Sequence, residues 1–205
     1  MDEQQIERSR DFERFITFID AIVAIAITLL VLPLVDIAGE LNGGSVTDLV
    51  SDHSNEIWGF LLSFLVIARL WLSQHAVIRT VIAENAALTR LLLGWTLTIV
   101  VLPFPTALLA EPGAGDQAAT KIFYIGTMAV SSALLAAICV VVGRDRSARD
   151  SDDKPDPTPL IQTTVAFVLA LAISLTFPAT SYYPLMLLMA TDFPFRRLFS
   201  RAKAH

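Results

Sequence analysis

Six long apolar runs, parted by short polar segments, leave this chain one kind of fold. A run of that length in lipid must satisfy its own backbone N–H and C=O groups, which a helix does and an open strand does not. The runs cover about Phe15 to Val35, Ile57 to Ile78, Leu91 to Ala110, Ala119 to Val142, Leu160 to Phe177 and Tyr182 to Phe195. A bilayer core takes about 20 helical residues to cross. The last run is the shortest, so a re-entrant hairpin of the fifth and sixth runs is the alternative to two further crossings. With 54% hydrophobic residues and a mean hydropathy of +0.60, the chain is too apolar for an ordinary soluble domain. The expected fold is all-α: a polytopic membrane protein with six transmembrane helices, forming a single domain over residues 1–205.

Loop charge gives the orientation. Thirteen of the fifteen Lys and Arg residues fall on one side of the six-pass pattern. They are Arg8, Arg10 and Arg14, then Arg79 and Arg90, then Arg144, Arg146, Arg149 and Lys154, then Arg196, Arg197, Arg201 and Lys203. Lys121 lies on the other side and Arg69 within the second run. Basic loops stay inside, so both termini are expected to be cytoplasmic, which an even number of spans requires. Residues 144–159 are polar and rich in Asp, Ser and Pro, and read as a flexible cytoplasmic linker. The segment from Asp36 to Glu56 carries Asp36, Glu40, Asp48, Asp52 and Glu56 with no Lys or Arg. Such a loop either concentrates cations at an outer mouth or has merely been emptied of basic residues by the charge rule. The N-terminus mixes acids and bases before a full-length apolar run, so it reads as a retained span and not as a signal peptide.

Several function classes fall away. A net charge of −5 argues against nucleic acid as a partner. Cys139 stands alone in an apolar run and reads as a packing residue, and no metal, nucleotide or hydrolase motif occurs. Neither a catalytic site nor a resident cofactor or metal is indicated. Asp20 and Asp192 are the only loose candidates for an intramembrane carboxylate pair, and no motif surrounds either.

The first run holds the chemistry. Asp20 sits roughly 7–8 Å in from the cytoplasmic end at 1.5 Å per residue. Its short side chain cannot snorkel, so it needs a partner or must be neutral. Arg14 is about 120° away around the helix, a poor angle for direct pairing. The second run passes antiparallel and offers Arg69, Trp71 and His75. The expected cluster joins Asp20, His75 and Trp71, with Arg14 or Arg69 supplying positive charge. It serves either to clip the two helices together or to move a proton or ion. On the other face, Ile25, Leu29, Leu32 and Asp36 trace one stripe, extended inward by Ile22 and Phe18. That stripe is lipid-facing, packing or pore-lining surface.

The order Arg14-Phe-Ile-Thr-Phe18-Ile19-Asp20, followed by Ala24 to Leu32, resembles the first helix of the transmembrane protein 175 family of potassium channels, in its prokaryotic branch. The family pattern is Arg-x-x-x-Phe-Ser-Asp; Ile19 takes the serine position here and removes one hydroxyl from the network. Trp71 and His75, spaced Trp-x-x-x-His, also match. The resemblance implies a homotetramer whose first helices surround a central cation pathway. The potassium filter sequence Thr-Val-Gly-Tyr-Gly is absent here, as it is from the family.

By position, the resemblance puts the apolar constriction at Ile25, the middle layer at Thr28 and Leu29, and the outer layer at Leu32. Asp36 would attract cations at the mouth, while Arg14, Phe18, Asp20, Trp71 and His75 match the interhelical network. It further implies a hydrophobic gate, potassium as permeant ion with modest selectivity over sodium, and proton permeation in animal members. The partners implied are other copies of the chain, membrane lipids and monovalent cations, in a bacterial inner membrane. The alternative from the residues is a proton-coupled secondary transporter using Asp20 and His75.

Overall fold

The computed structural model describes residues 3–39, 44–81, 85–111, 113–115, 117–144 and 155–176, and the elements they form are all helical. In chain order these are α1 (Glu3–Leu29), α2 (Leu32–Ala38), α3 (Val46–Asp52), α4 (Ser54–Ile78), α5 (Ala86–Val101), α6 (Pro103–Ala110), α7 (Ala118–Arg144) and α8 (Thr158–Thr176). Five stretches are long and apolar enough to cross a bilayer: Arg10–Ala38, Ser54–Ile78, Ala86–Leu109, Ala118–Arg144 and Thr158–Thr176. The expected sixth run, Tyr182 to Phe195, and most of the expected linker lie outside the described residues.

Proline divides two of these spans. Pro33 and Pro103 lack the N–H that the carbonyl four residues earlier would accept. At the first site Leu30 N–H turns to Ile27 O and Val31 N–H to Thr28 O, both at 3.3 Å, and the chain restarts as α2 with Pro33 in its first turn. At the second, Leu102 N–H bonds Ile99 O at 3.3 Å, and α6 restarts at Pro103. The break in the first span departs from the sequence reading, in which Leu32 to Val35 continue the apolar run.

Side-chain caps define other ends. Asn85 accepts the Leu88 N–H at 2.8 Å, which starts α5 ahead of the expected Leu91. Ser45 accepts the Thr47 N–H at 3.2 Å and opens α3, a short helix inside the acidic segment that had read as a loop. Each cap satisfies a donor that a helix start leaves unpaired.

The helices pack around α7, which touches α4, α5, α6 and α8. Ser131, Ser132, Ala129 and Ala136 on α7 are buried small residues that let neighbouring backbones approach. Ser132 Oγ donates to Leu160 O at 3.2 Å and accepts from Thr164 Oγ1 at 3.0 Å, joining α7 to α8. A second set of bonds ties three spans: Ser63 Oγ lies 3.0 Å from Thr106 Oγ1 and 2.8 Å from Tyr124 OH. All three groups are buried. These bonds fix the heights of α4, α6 and α7 relative to one another.

Ser63→Ala removes the shared hydroxyl, so Tyr124 OH and Thr106 Oγ1 lose their link to α4, although Thr106 keeps its bond to Leu102 O at 2.8 Å. The substitution is expected to cost about 1–2 kcal/mol, seen as a lower melting temperature of the detergent-solubilised protein. Ser63→Thr, which keeps the hydroxyl, should lose less.

Candidate functional site: the two faces of the first span

The span formed by α1 and α2 presents two unlike faces. Ile19, Val23, Ala26 and Leu30 are buried and make its core stripe. Their spacing of four, three and four is one helix face. Ile19, at 0% exposure, is enclosed completely. An isoleucine is therefore well suited to this position, where a hydroxyl would need a partner.

Asp20 lies at the border of that face. Trp71 Nε1 donates to Asp20 Oδ1 at 2.8 Å, and His75 Nδ1 stands 3.8 Å from the same oxygen. The second distance suits an ion pair with protonated histidine and is too long for a hydrogen bond. Trp71 and His75 are four residues apart on α4, so their rings lie on one face with centroids 4.8 Å apart. The structure thus brings together Asp20, Trp71 and His75 from α1 and α4. A carboxylate in an apolar span gains most from such a donor, because the alternative is an unsatisfied acceptor in hydrocarbon.

The two arginines proposed from sequence go elsewhere. Arg69 Nη2 donates to Thr163 Oγ1 on α8 at 3.2 Å. Its long side chain reaches across the bundle toward the fifth span. Arg14 is exposed on α1. Depth along the helix made Arg69 a plausible partner for Asp20; its direction around α4 decides otherwise.

The opposite face of the span is exposed among the described residues. Phe18 and Ile25 are each 58% exposed, Leu29 42% and Leu32 53%. Thr28 and Asp36 are also exposed, while Ile22 is half-buried. Thr28 Oγ1 donates to Ile25 O at 2.7 Å, so its hydroxyl hydrogen is turned back onto its own helix. The break after Leu29 falls inside this stripe and places Leu32 and Asp36 on α2. No group of three His, Cys, Asp or Glu side chains among the described residues is placed to hold a metal ion.

Three comparisons bear on this arrangement. Residues 14–103 match the family model described as endosomal/lysosomal potassium channel TMEM175. A protein of Streptomyces collinus named as a potassium channel is 29% identical over 163 residues, which cover 80% of this chain and 77% of that protein. The fold is similar to the crystal structure of a lysosomal potassium-selective channel TMEM175 homolog from Chamaesiphon minutus, with a TM-score of 0.70 at 22% identity. That likeness covers 87% of this chain and 94% of the other, well past the residues the family model matches. The helix-one residues, the paired Trp71 and His75 and the helical bundle agree with these likenesses: over residues 14–103 this integral membrane protein is similar to the TMEM175 potassium channels, and it shares the fold of their Chamaesiphon minutus homolog.

Proposed function

We propose that this chain is the subunit of a homotetrameric, potassium-permeable cation channel whose pore is lined by α1 and α2. The observation that carries the reading is the uncovered apolar stripe of the first span, with Thr28 in its middle and Asp36 at its end. A helix anchored on one face by Asp20 and Trp71 and bare on the other is suited to meeting symmetry copies of itself. The potassium channel of Streptomyces collinus and the potassium-selective homolog of Chamaesiphon minutus carry those functions in their names, which supports the same ion here. Both relatives are bacterial, and the plasma membrane is the corresponding location, with the end of the bundle bearing Arg79, Arg90 and Arg144 facing the cytoplasm.

In this mechanism Ile25, Leu29 and Leu32 from each subunit form apolar rings. A ring narrower than a hydrated ion closes the path by dewetting. Widening the rings, or turning Thr28 toward the axis, admits water and a partly hydrated cation. Potassium sheds water at lower cost than sodium, which favours it. Asp36, repeated around the mouth, raises the local cation concentration. Asp20, Trp71 and His75 hold the first span at the angle that points the stripe inward.

The 3.8 Å approach of His75 to Asp20 favours a second reading, a proton-coupled transporter titrating on this pair. Flux into liposomes separates the two. A channel gives unitary currents that reverse with the potassium gradient, whereas a carrier gives saturable, proton-coupled flux with no unitary events. The same preparation, cross-linked, tests the tetramer. A monomer would rule out a pore built from four first helices.

Ile25→Ala and Leu32→Ala are expected to raise resting cation flux and weaken selectivity. A barrier lowered by about 1.4 kcal/mol raises flux about tenfold. Unchanged flux in both variants would remove these residues from the pore. For the anchor, Trp71→Phe and Asp20→Ala each leave one polar group stranded, at about 1–3 kcal/mol. Both should reduce the yield of assembled tetramer, while Asp20→Asn, which keeps an acceptor for the indole, should assemble better than Asp20→Ala. An Asp20→Ala tetramer of normal yield and altered permeation would instead assign Asp20 to the ion path.

A further inference from the structure

Away from the first span, the core of α4, α5 and α7 contains three polar side chains with no visible use. Gln74, Trp95 and Ser131 are each 0% exposed. Both amide atoms of Gln74, the indole Nε1 of Trp95 and Oγ of Ser131 lack a hydrogen-bond partner among the described residues. In hydrocarbon no solvent is at hand to satisfy such groups, so each is costly to leave unpaired.

The Ser63, Thr106 and Tyr124 bonds give a common level from which the heights of the three can be counted. From Ser63, alternating steps of four and three along α4 give Ile67, Leu70, Gln74 and Val77, all buried. The same steps back from Thr106, through α6 into α5, give Leu102, Ile99, Trp95 and Leu92, all buried. Forward from Tyr124 on α7 they give Met128, Ser131, Leu135 and Ile138, again all buried. The bond from Arg69 to Thr163, and those joining Ser132 to Leu160 and Thr164, independently put Arg69 level with the Ser131 turn, so α4 and α7 run the same way. In this register Gln74 and Trp95 occupy one layer. Ser131 occupies the adjacent layer, about 6 Å along the axis.

A donor-only indole, an amide that both donates and accepts, and a hydroxyl in neighbouring layers make a complete set of partners for one small polar molecule. We propose that Gln74, Trp95 and Ser131 form a hydration site inside each subunit, off the ion pathway, that binds an ordered water molecule. A buried water typically makes about three protein hydrogen bonds. Here it accepts from Trp95 Nε1, and its remaining bonds go to the Gln74 amide and the Ser131 hydroxyl. The site depends on the subunit bundle alone, so it stands or falls independently of the channel reading.

Two measurements test it on the full chain. A map at a resolution that shows solvent should contain a water within hydrogen-bond reach of all three side chains. Direct bonding of Gln74 to Trp95, or dry separation of the three groups, would overturn the site. The second measurement is the melting temperature of Gln74→Leu, Trp95→Phe and Ser131→Ala, singly and combined. Each single change removes one bond and leaves the water poorly held, so each is expected to lower the melting temperature. In the triple variant no polar group remains to be satisfied, and its loss should be smaller than the summed single losses. Additive losses would mean three independent positions.

If the substitutions prevent folding, the hydrogen-bond-sensitive Raman bands of the indole decide the matter in the unmodified protein. Trp71 and Trp95 should both show a bonded N–H, and a free N–H from a buried indole would overturn the proposal.

Discussion

One hydrogen bond organises the first span. With Trp71 donating to Asp20 at 2.8 Å, an otherwise costly carboxylate fixes the rotation of α1 against α4. Apolar side chains alone would hold that angle weakly, because hydrocarbon gives no preference between one oily face and another. Once the angle is fixed, Ile19, Val23, Ala26 and Leu30 meet the bundle, and Ile25, Leu29 and Leu32 do not. Separation of the helix into a docked face and a bare face thus follows from one polar contact near its border.

The rest of the bundle repeats this division between adhesion and direction. Burial of leucine, isoleucine and small residues keeps the helices together, while a few hydroxyls fix their heights. Ser63, Thr106 and Tyr124 set α4, α6 and α7 in register at one level. Ser132 and Thr164 do the same for α7 and α8. Arg69, donating to Thr163, adds a contact from α4 to a span on the far flank of α7. Each such bond is modest in strength in a membrane, on the order of 1 kcal/mol, yet its alternative is an unpaired group, so it discriminates strongly among packings.

Much of this was legible in the sequence, for reasons that differ by residue. Length and hydropathy revealed the spans because a bilayer enforces both. The Asp20 partners were legible because Trp71 and His75 share a helix face and match its depth. Arg69 was misassigned because depth is readable from residue number, whereas direction around the bundle depends on which helices stand beside which. The break at Pro33 was hidden by apolar neighbours on both sides, although the missing N–H is visible in the residue itself. The helix at Val46–Asp52 was masked by its acidic setting, even with Ser45 in the capping position. Gln74 and Ser131 drew no attention because single polar residues in apolar runs acquire meaning only when three helices are aligned.

The interruption between Leu29 and Leu32 makes the first span two stiff rods with a joint. Intact helical turns resist bending, and a turn deprived of a donor by proline does so far less. A tug on the acidic segment beyond α2 therefore flexes the joint and leaves α1, docked through Asp20, at rest. Leu32 and Asp36 swing as a lever arm while Ile25 and Leu29 stay with the fixed rod, so the two halves of the bare face have separate mechanical freedom.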